Sequence, residues 1–418
     1  MPRAVLGAAA PGGLARVAET LRFYEQRAAR WARVLGEWRP GTARPAPGRR
    51  RVLVVRLDAI GDFALWTGAA RVLRAWLGPD THVTLAANAL WAELARDATI
   101  ADDVWPVARG PLEHDGRYRA DLRARVRGAG FSMAINPRFT RELMLGDSLV
   151  RWSGAAERIG DMGDDVLLPP LERRFADAWY TRLLSTTAQP MHESDRHAEF
   201  LRALGVSLER VPRPSLRVTA GPKGGAPGGA AAGVPPGVSA FVVFPGASVA
   251  EHRWPASHFA AVARAIHERT GWLPWVLGAE SDAPLARAIL DVVPSAINLA
   301  GRTTVAELAA AVGRSRLVVT NDTAAVHLAA ATGVRVICIA GGWHWERFVP
   351  YPASLGEVSR RVHVASMVDE MPCFRCRGYC SLPHRAGEPR PCVERVSVKH
   401  VLATVDYVLS LPDMQSDG

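Results

Sequence analysis

Two runs of short apolar segments alternating with amphipathic ones, divided by a Gly/Pro/Ala-rich stretch, predict an α/β protein. The same grammar appears twice: an apolar strand, a small-residue turn, a helix, then the next strand. It predicts two Rossmann-like domains facing each other across a cleft, with an extra N-terminal helix and a C-terminal cysteine finger. A chain of 418 residues is long enough for two cores of ordinary size, and 48% hydrophobic with 22% charged residues is a globular composition.

In chain order, residues 1–48 read as a basic amphipathic arm. "LARVAETLRFYEQRAARWARVLGEW", residues 14–38, has apolar residues at helical spacing with arginines on the other side. Such a helix packs on its own domain, on a second subunit, or on a membrane surface. Residues 49–218 form the first domain: "RVLVVRL" is a strand, "ALWTGAARVLRAWLG" a helix, and "HVTLAA", "FSMAIN" and "ERIGD" further strands. Residues 219–237 are too rich in Gly, Pro and Ala to pack a core and read as a linker. Residues 238–418 restart the pattern. "SAFVVFPGAS", "LPWVLGAE", "RLVVTNDT" and "VRVICIAG" are strands, while "PASHFAAVARAIHERTG", "TVAELAAAVGRS" and "AAVHLAAATG" are helices.

The net charge is +10, carried mostly by arginine, and a basic surface attracts nucleic acid, anionic lipid headgroups or phosphorylated substrates. No stretch has a nucleic-acid-binding motif, so no nucleic-acid partner is expected. There is no uncharged apolar run near eighteen residues, and the apolar patch of "MPRAVLGAAAPGG" is too short for a secretory signal. A cytoplasmic protein is expected, with contact at the inner face of the cytoplasmic membrane and self-association left open.

Three stretches carry candidate chemistry, each at the carboxyl end of a strand, where open α/β sheets bind ligands. In "RLDAIGDFAL", Gly61 permits a tight strand-to-helix turn and places Asp62 at the helix start, as a plain cap or as a general base at the cleft. Strand direction makes Asp58 the less suitable base. In "VVFPGASVAEHRWP", Gly246, Ala247 and Ser248 suit close approach of a phosphate, with positive charge from His252 and Arg253. In "VVTNDTAAVHLAAATG", Asp322 and Thr323 end a strand and His327 follows on the same helical face, as a core histidine or a ligand.

In this order and spacing, the three segments resemble glycosyltransferase family 9, the ADP-heptose:lipopolysaccharide heptosyltransferases and their relatives. The resemblance covers residues 51–350 and extends to "HESDRHAEFLRALGV" and "LGAESD". It implies a GT-B fold with the donor held mainly by the second domain. Asp62 then matches the catalytic base of inverting transfer, and Ala247 and Ser248 the turn near the donor phosphates. Glu280 matches an acid that contacts the donor nucleoside. Asp322, Thr323 and His327 match the donor-binding strand end and helix, and Gly61, Gly246, Thr303 and Ala324 complete the donor-side set. Two departures stand out: His252 where lysine is common, and Ala324 where glycine is common.

The implied reaction moves a heptose or related sugar from an ADP-sugar to a hydroxyl of lipopolysaccharide core or another glycan. A protein hydroxyl is the alternative acceptor, and a catalytically silent nucleotide-sugar binder or scaffold is the alternative class. Asp62 argues against the last, since a pure binder has no need of a base there. No Asp-x-Asp signature ends a strand, so no catalytic metal is expected.

Four of the five cysteines, Cys373, Cys376, Cys380 and Cys392, fall in a C-x2-C-x3-C-x11-C pattern. The spacing suits a closed structural zinc or iron site, with chance clustering or a disulfide as alternatives. Some members of the family the chain resembles carry a C-terminal cysteine finger that binds iron. Cys338, inside an apolar strand, reads as core.

Overall fold

In the computed structural model the described residues are Ala32, 48–218, 239–376 and 378–412. The expected arm helix over 14–38, Ala32 apart, and the stretch 219–237 lie outside them. The first half holds β1 (Arg50–Arg56), β2 (Thr81–Asn88), β3 (Asp103–Val107), β4 (Met133–Asn136), β5 (Glu157–Asp161) and β6 (Arg182–Leu184). They form one sheet of order β3-β2-β1-β4-β5-β6, parallel throughout. The second half repeats this with β7 (Ala240–Phe244), β8 (Leu273–Val276), β9 (Ile297–Asn298), β10 (Val318–Asn321), β11 (Val336–Ile339) and β12 (Val362–Ala365). Its order is β12-β11-β10-β7-β8-β9, also parallel.

In each sheet the strand order reverses beside the first strand, between β1 and β4 and between β7 and β10. A crevice opens there at the strand ends, because the flanking connections leave to opposite sides. The central strands are buried on both faces: Val52 to Val55 in β1 and Val318 to Asn321 in β10. That burial is why they read as continuous apolar runs in the sequence. The strands that the pattern did not announce, β3, β6, β9 and β12, are outer strands that are short or carry polar residues. Pro106 sits in β3, where an edge tolerates a missing N–H.

The helices of the first half are α1 (Ile60–Leu77), α2 (Ala92–Asp97), α3 (Arg109–His114), α4 (Gly116–Gly128), α5 (Ser148–Ser153), α6 (Pro170–Asp177) and α7 (Glu193–Leu204). Those of the second are α8 (Ala256–Thr270), α9 (Ala283–Leu290), α10 (Val305–Arg314), α11 (Ala324–Thr332), α12 (Pro391–Glu394) and α13 (Val398–Ser410). Local chemistry sets several ends. Thr304 and Glu307 close a capping box on α10, Thr323 caps α11 through Ala325 N–H, and Gly333 ends α11 in the left-handed region. Among the described residues no helix is long and apolar enough to cross a membrane. Between β12 and α12 the described residues form turns only, so the expected cysteine finger is a looped segment.

The two halves meet along α1 and α11, and one apolar cluster runs through both, from Phe63, Leu65 and Ala69 to Ala325, Val326 and Leu328. The crossing is close because Gly61 has no side chain. A Cβ there would stand 2.7 Å from Cδ2 of His327 and 3.4 Å from Cα of Ala324. His327 cannot readily yield, because its Nδ1 is hydrogen-bonded to Tyr351 Oη at 2.8 Å and its ring is buried. Gly61→Ala is therefore expected to cost about 1–3 kcal/mol, the range for overpacking a tight contact. Urea unfolding measures this, and an unchanged midpoint would mean that the crossing has slack.

Candidate active site

Asp62 is the third residue of α1, and Ala59 occupies the cap position, so the aspartate is not the plain cap that the sequence also allowed. It is half-buried where α1 nears the second half. Burial first, then the charges of Asp58 and Glu193, push its carboxyl up to about 7, against the pull of Arg56 and Arg347. Asp58 is committed elsewhere, as its carboxylate meets Arg56 Nε at 2.7 Å. Its carbonyl accepts from Asn88 Nδ2 at 2.9 Å and Trp91 Nε1 at 2.8 Å. Arg56 also reaches His197 Nε2 at 3.1 Å, and burial with that guanidinium drives the His197 ring down to about 3, so it is neutral.

In the second half, the turn after β7 carries Gly246, Ala247 and Ser248, with Ser248 exposed. Gly246 is glycine because the carboxylate of Asp282 lies where its Cβ would be. Asp282 accepts from Ala279 N–H at 3.0 Å and faces Arg253 Nη2 at 3.6 Å. Arg253 in turn donates to Ala247 O from Nε at 3.1 Å and Nη2 at 2.9 Å, so its guanidinium braces the turn from inside. Asn321, at the end of β10, ties in the same turn by donating to Pro245 O at 2.8 Å while accepting from Trp254 N–H at 2.9 Å.

His252 stacks flat on Trp343, with ring centroids 3.6 Å apart and planes 2° from parallel. Burial, followed by Arg390 and His344, lowers it to about 4, so the ring is neutral near pH 7. The sequence expected His252 and Arg253 to supply charge to a phosphate. Here one is an uncharged stacked ring and the other a brace.

Asp322 follows β10 with its carboxylate buried, pushed up to about 7 by burial alone, and its Oδ2 has no hydrogen-bond partner. His344 Nδ1 stands 4.0 Å from that oxygen. Thr323 holds its hydroxyl 3.0 Å from Thr320 Oγ1 at the start of α11, and His327, lowered to about 3 by burial, is neutral against Tyr351. The structure thus brings Asp62, Gly61, Ala324 and His327 together at the crossing of α1 and α11. Asp322, His344, His252 and Trp343 gather at the ends of β10 and β11. Glu280 is exposed and Thr303 half-buried at the ends of β8 and β9, where Gly301 N–H bonds Gly278 O at 2.9 Å.

Residues that the sequence reading passed over are Asp282, Trp343, His344, Glu193 and Arg347. Asp282 and Glu193 lay in segments already matched, "LGAESD" and "HESDRHAEF". The others lie in "GGWHWERF", whose aromatic and histidine content directly after a strand was the available signal.

Cys373, Cys376, Cys380 and Cys392 line one small cavity with Arg390 and Leu382. Burial, and the three other sulfurs beside it, push the Cys392 thiol up. Among the described residues no group of three or more His, Cys, Asp and Glu side chains has an arrangement that could hold a metal ion. The cluster the spacing predicts is therefore present as a set of free thiols. Cys338 is buried in β11, as core.

Two parallel six-stranded sheets of like order, with their candidate groups at facing strand ends, have the form of a GT-B glycosyltransferase. Residues 231–375 match the family model for glycosyltransferase family 9 (heptosyltransferase). Residues 231–375 are thus similar to that family, which supports a glycosyltransferase. No curated protein sequence matches it significantly. Among solved structures it is similar to a glycosyltransferase family 9 protein of Veillonella parvula, at 19% identity and TM-score 0.63, covering 87% of this chain and 97% of that one. The E. coli ADP-heptose LPS heptosyltransferase II follows at 17% identity and TM-score 0.61, covering 86% and 98%. The E. coli heptosyltransferase WaaC, solved with ADP-2-deoxy-2-fluoro heptose, stands at 17% and 0.60, covering 85% and 99%.

The His252 ring should titrate near 4 by NMR, well below the usual value of about 6.5. A midpoint in the ordinary range would show that the stack on Trp343 is open to water.

Proposed function

We propose that the protein is an inverting glycosyltransferase that moves a heptose or related sugar from an ADP-sugar to a hydroxyl acceptor, lipopolysaccharide core or another glycan. The observation that carries this is Asp62: a half-buried aspartate with its carboxyl raised to about 7, at the strand-end crevice of the first sheet and facing the second half. A base whose proton affinity matches the working pH removes a hydroxyl proton in concert with attack. The proposed donor set, Gly246 to Ser248, Asp322, Thr323 and His327, follows β7 and β10, the strands on either side of the corresponding reversal in the second sheet. The ADP-heptose analogue bound by the similar WaaC supports an ADP-sugar as donor.

The diphosphate leaving group meets backbone N–H groups of the 246–248 turn and the start of α11, with His344 beside Asp322. Those N–H dipoles stabilise developing negative charge, and no step calls for a metal. The reading places the enzyme in the cytoplasm, with residues 49–218 serving the acceptor and 238–418 the donor.

Asp62→Asn keeps shape and removes the base. Turnover should fall by about 10²–10⁴-fold with donor affinity retained. In the intact enzyme the active form is the carboxylate, so the rate should climb as pH rises through about 7 and fall away below it. Mass spectrometry of products from ADP-heptose with glycan and protein acceptors reads turnover and acceptor together. Full activity of Asp62→Asn removes the base, and transfer to a protein hydroxyl replaces the acceptor.

For the cysteines we propose a structural metal, which the four thiols would have to draw together to bind, since among the described residues they form no metal site. Four sulfur donors around one cavity have the chemistry of a closed zinc or iron site, which contributes local folding and leaves no open position. Purified, reduced protein should then carry about one Zn or Fe per chain, and Cys376→Ser should loosen residues 366–392. Elemental analysis without metal, with all four thiols open to alkylation, rejects the site. Thiols that resist alkylation until reductant is added indicate disulfides.

A further inference from the structure

Besides the crossing of α1 and α11, the halves are joined at the first turn of α7, which belongs to the first half and packs on α1. Glu193 N–H donates to Arg347 O at 2.9 Å, and the Glu193 carboxylate receives Arg347 Nε at 2.9 Å and Nη2 at 2.8 Å. His192 Nε2 meets Phe348 O at 3.0 Å, and Ser354 Oγ donates to Asp195 at 2.8 Å. The Glu193 carboxylate is 8% exposed and the Arg347 side chain 41%, so a buried acid is met by a cation that still reaches solvent.

The charged groups that act on Asp62 are Asp58 and Arg56 of β1 and its loop, Glu193 of α7, Arg347 of the second half and Arg138 after β4. His197 and His327 are neutral rings nearby. The first half's own cations are already paired. Arg56 holds Asp58, and Arg138 shares Glu142 with Arg109. Arg347 is the cation that comes from the opposite half.

We infer that Glu193 and Arg347 are a positioning pair, one member from each half, through which closure of the halves sets how readily Asp62 takes a proton. The inference rests on Asp62 as the base. Asp62 already has Glu193 beside it within its own half, closure desolvates it further, and both effects favour the protonated, inactive carboxyl. Arg347 arrives with the same movement and opposes them. The pair therefore joins the halves and adjusts the base in one contact, with its two charges acting in opposite senses.

The opposite senses make the test sharp, because a bridge that only held the halves together would respond alike to loss of either end. The pH dependence of kcat/KM is measured for Arg347→Gln, Arg347→Lys, Glu193→Gln and Asp62→Asn, with thermal melts confirming the fold. Arg347→Gln should move the acidic limb up by about one pH unit, the scale of one lost opposite charge. Arg347→Lys keeps the charge and should leave the limb in place. Glu193→Gln keeps an acceptor oxygen for Arg347 and should move the limb down. Shifts in the same direction for Arg347→Gln and Glu193→Gln, or no shift in either, overturn the inference. A limb in Arg347→Lys displaced as in Arg347→Gln overturns it as well. Wild-type turnover by Asp62→Asn instead removes the base itself, so the two failures are told apart.

Discussion

Asp62 is half-buried where α1 approaches α11, and the charges around it are arranged to make the loss of water there tolerable. An isolated ionised carboxylate in such a place would simply take up a proton. Here two negative groups, Asp58 and Glu193, lie close, and Arg56, Arg138 and Arg347 stand against them. The balance leaves the group near 7, where either state is accessible. That balance requires the halves to meet closely, and the missing side chain at Gly61 is what lets them.

The second half solves a different problem. On the proposed reading the 246–248 turn admits a diphosphate, and such a turn must be held from behind without a side chain in front. Gly246 leaves the space, Asp282 fills it from below, and Arg253 and Asn321 fasten the carbonyls of Ala247 and Pro245. The arginine that looks like a phosphate ligand in the sequence is thereby part of the support. The histidine beside it is held flat and neutral by Trp343. Where the sequence led one to expect a cation at position 252, the structure has a neutral ring stacked on Trp343.

The strand ends of β10 and β11 gather the buried Asp322 carboxylate, the exposed His344 and the Trp343–His252 stack. An unpartnered carboxylate oxygen costs free energy in the ligand-free protein. A donor hydroxyl that bonds it would recover that cost, so the geometry ranks Asp322 above Glu280, which is exposed at the far end of the sheet.

The sequence alone determined the two parallel sheets, because central strands buried on both faces must be apolar runs and their turns must be small. It also determined the place of Gly246 and Asp322, which come just after such runs, and of Asp62, in the first turn of the helix that follows one. The short outer strands β3, β6, β9 and β12 stayed hidden, having no two-sided burial to impose a pattern. Only the tertiary structure decided what each charge does. Arg253 and Arg347 are the same residue type, 94 positions apart, both following strand ends of one half. One turns back on its own loop, and the other meets Glu193 from the opposite half. Charge pairing across the chain depends on which surfaces are brought together and dried, and neither residue type nor spacing records that.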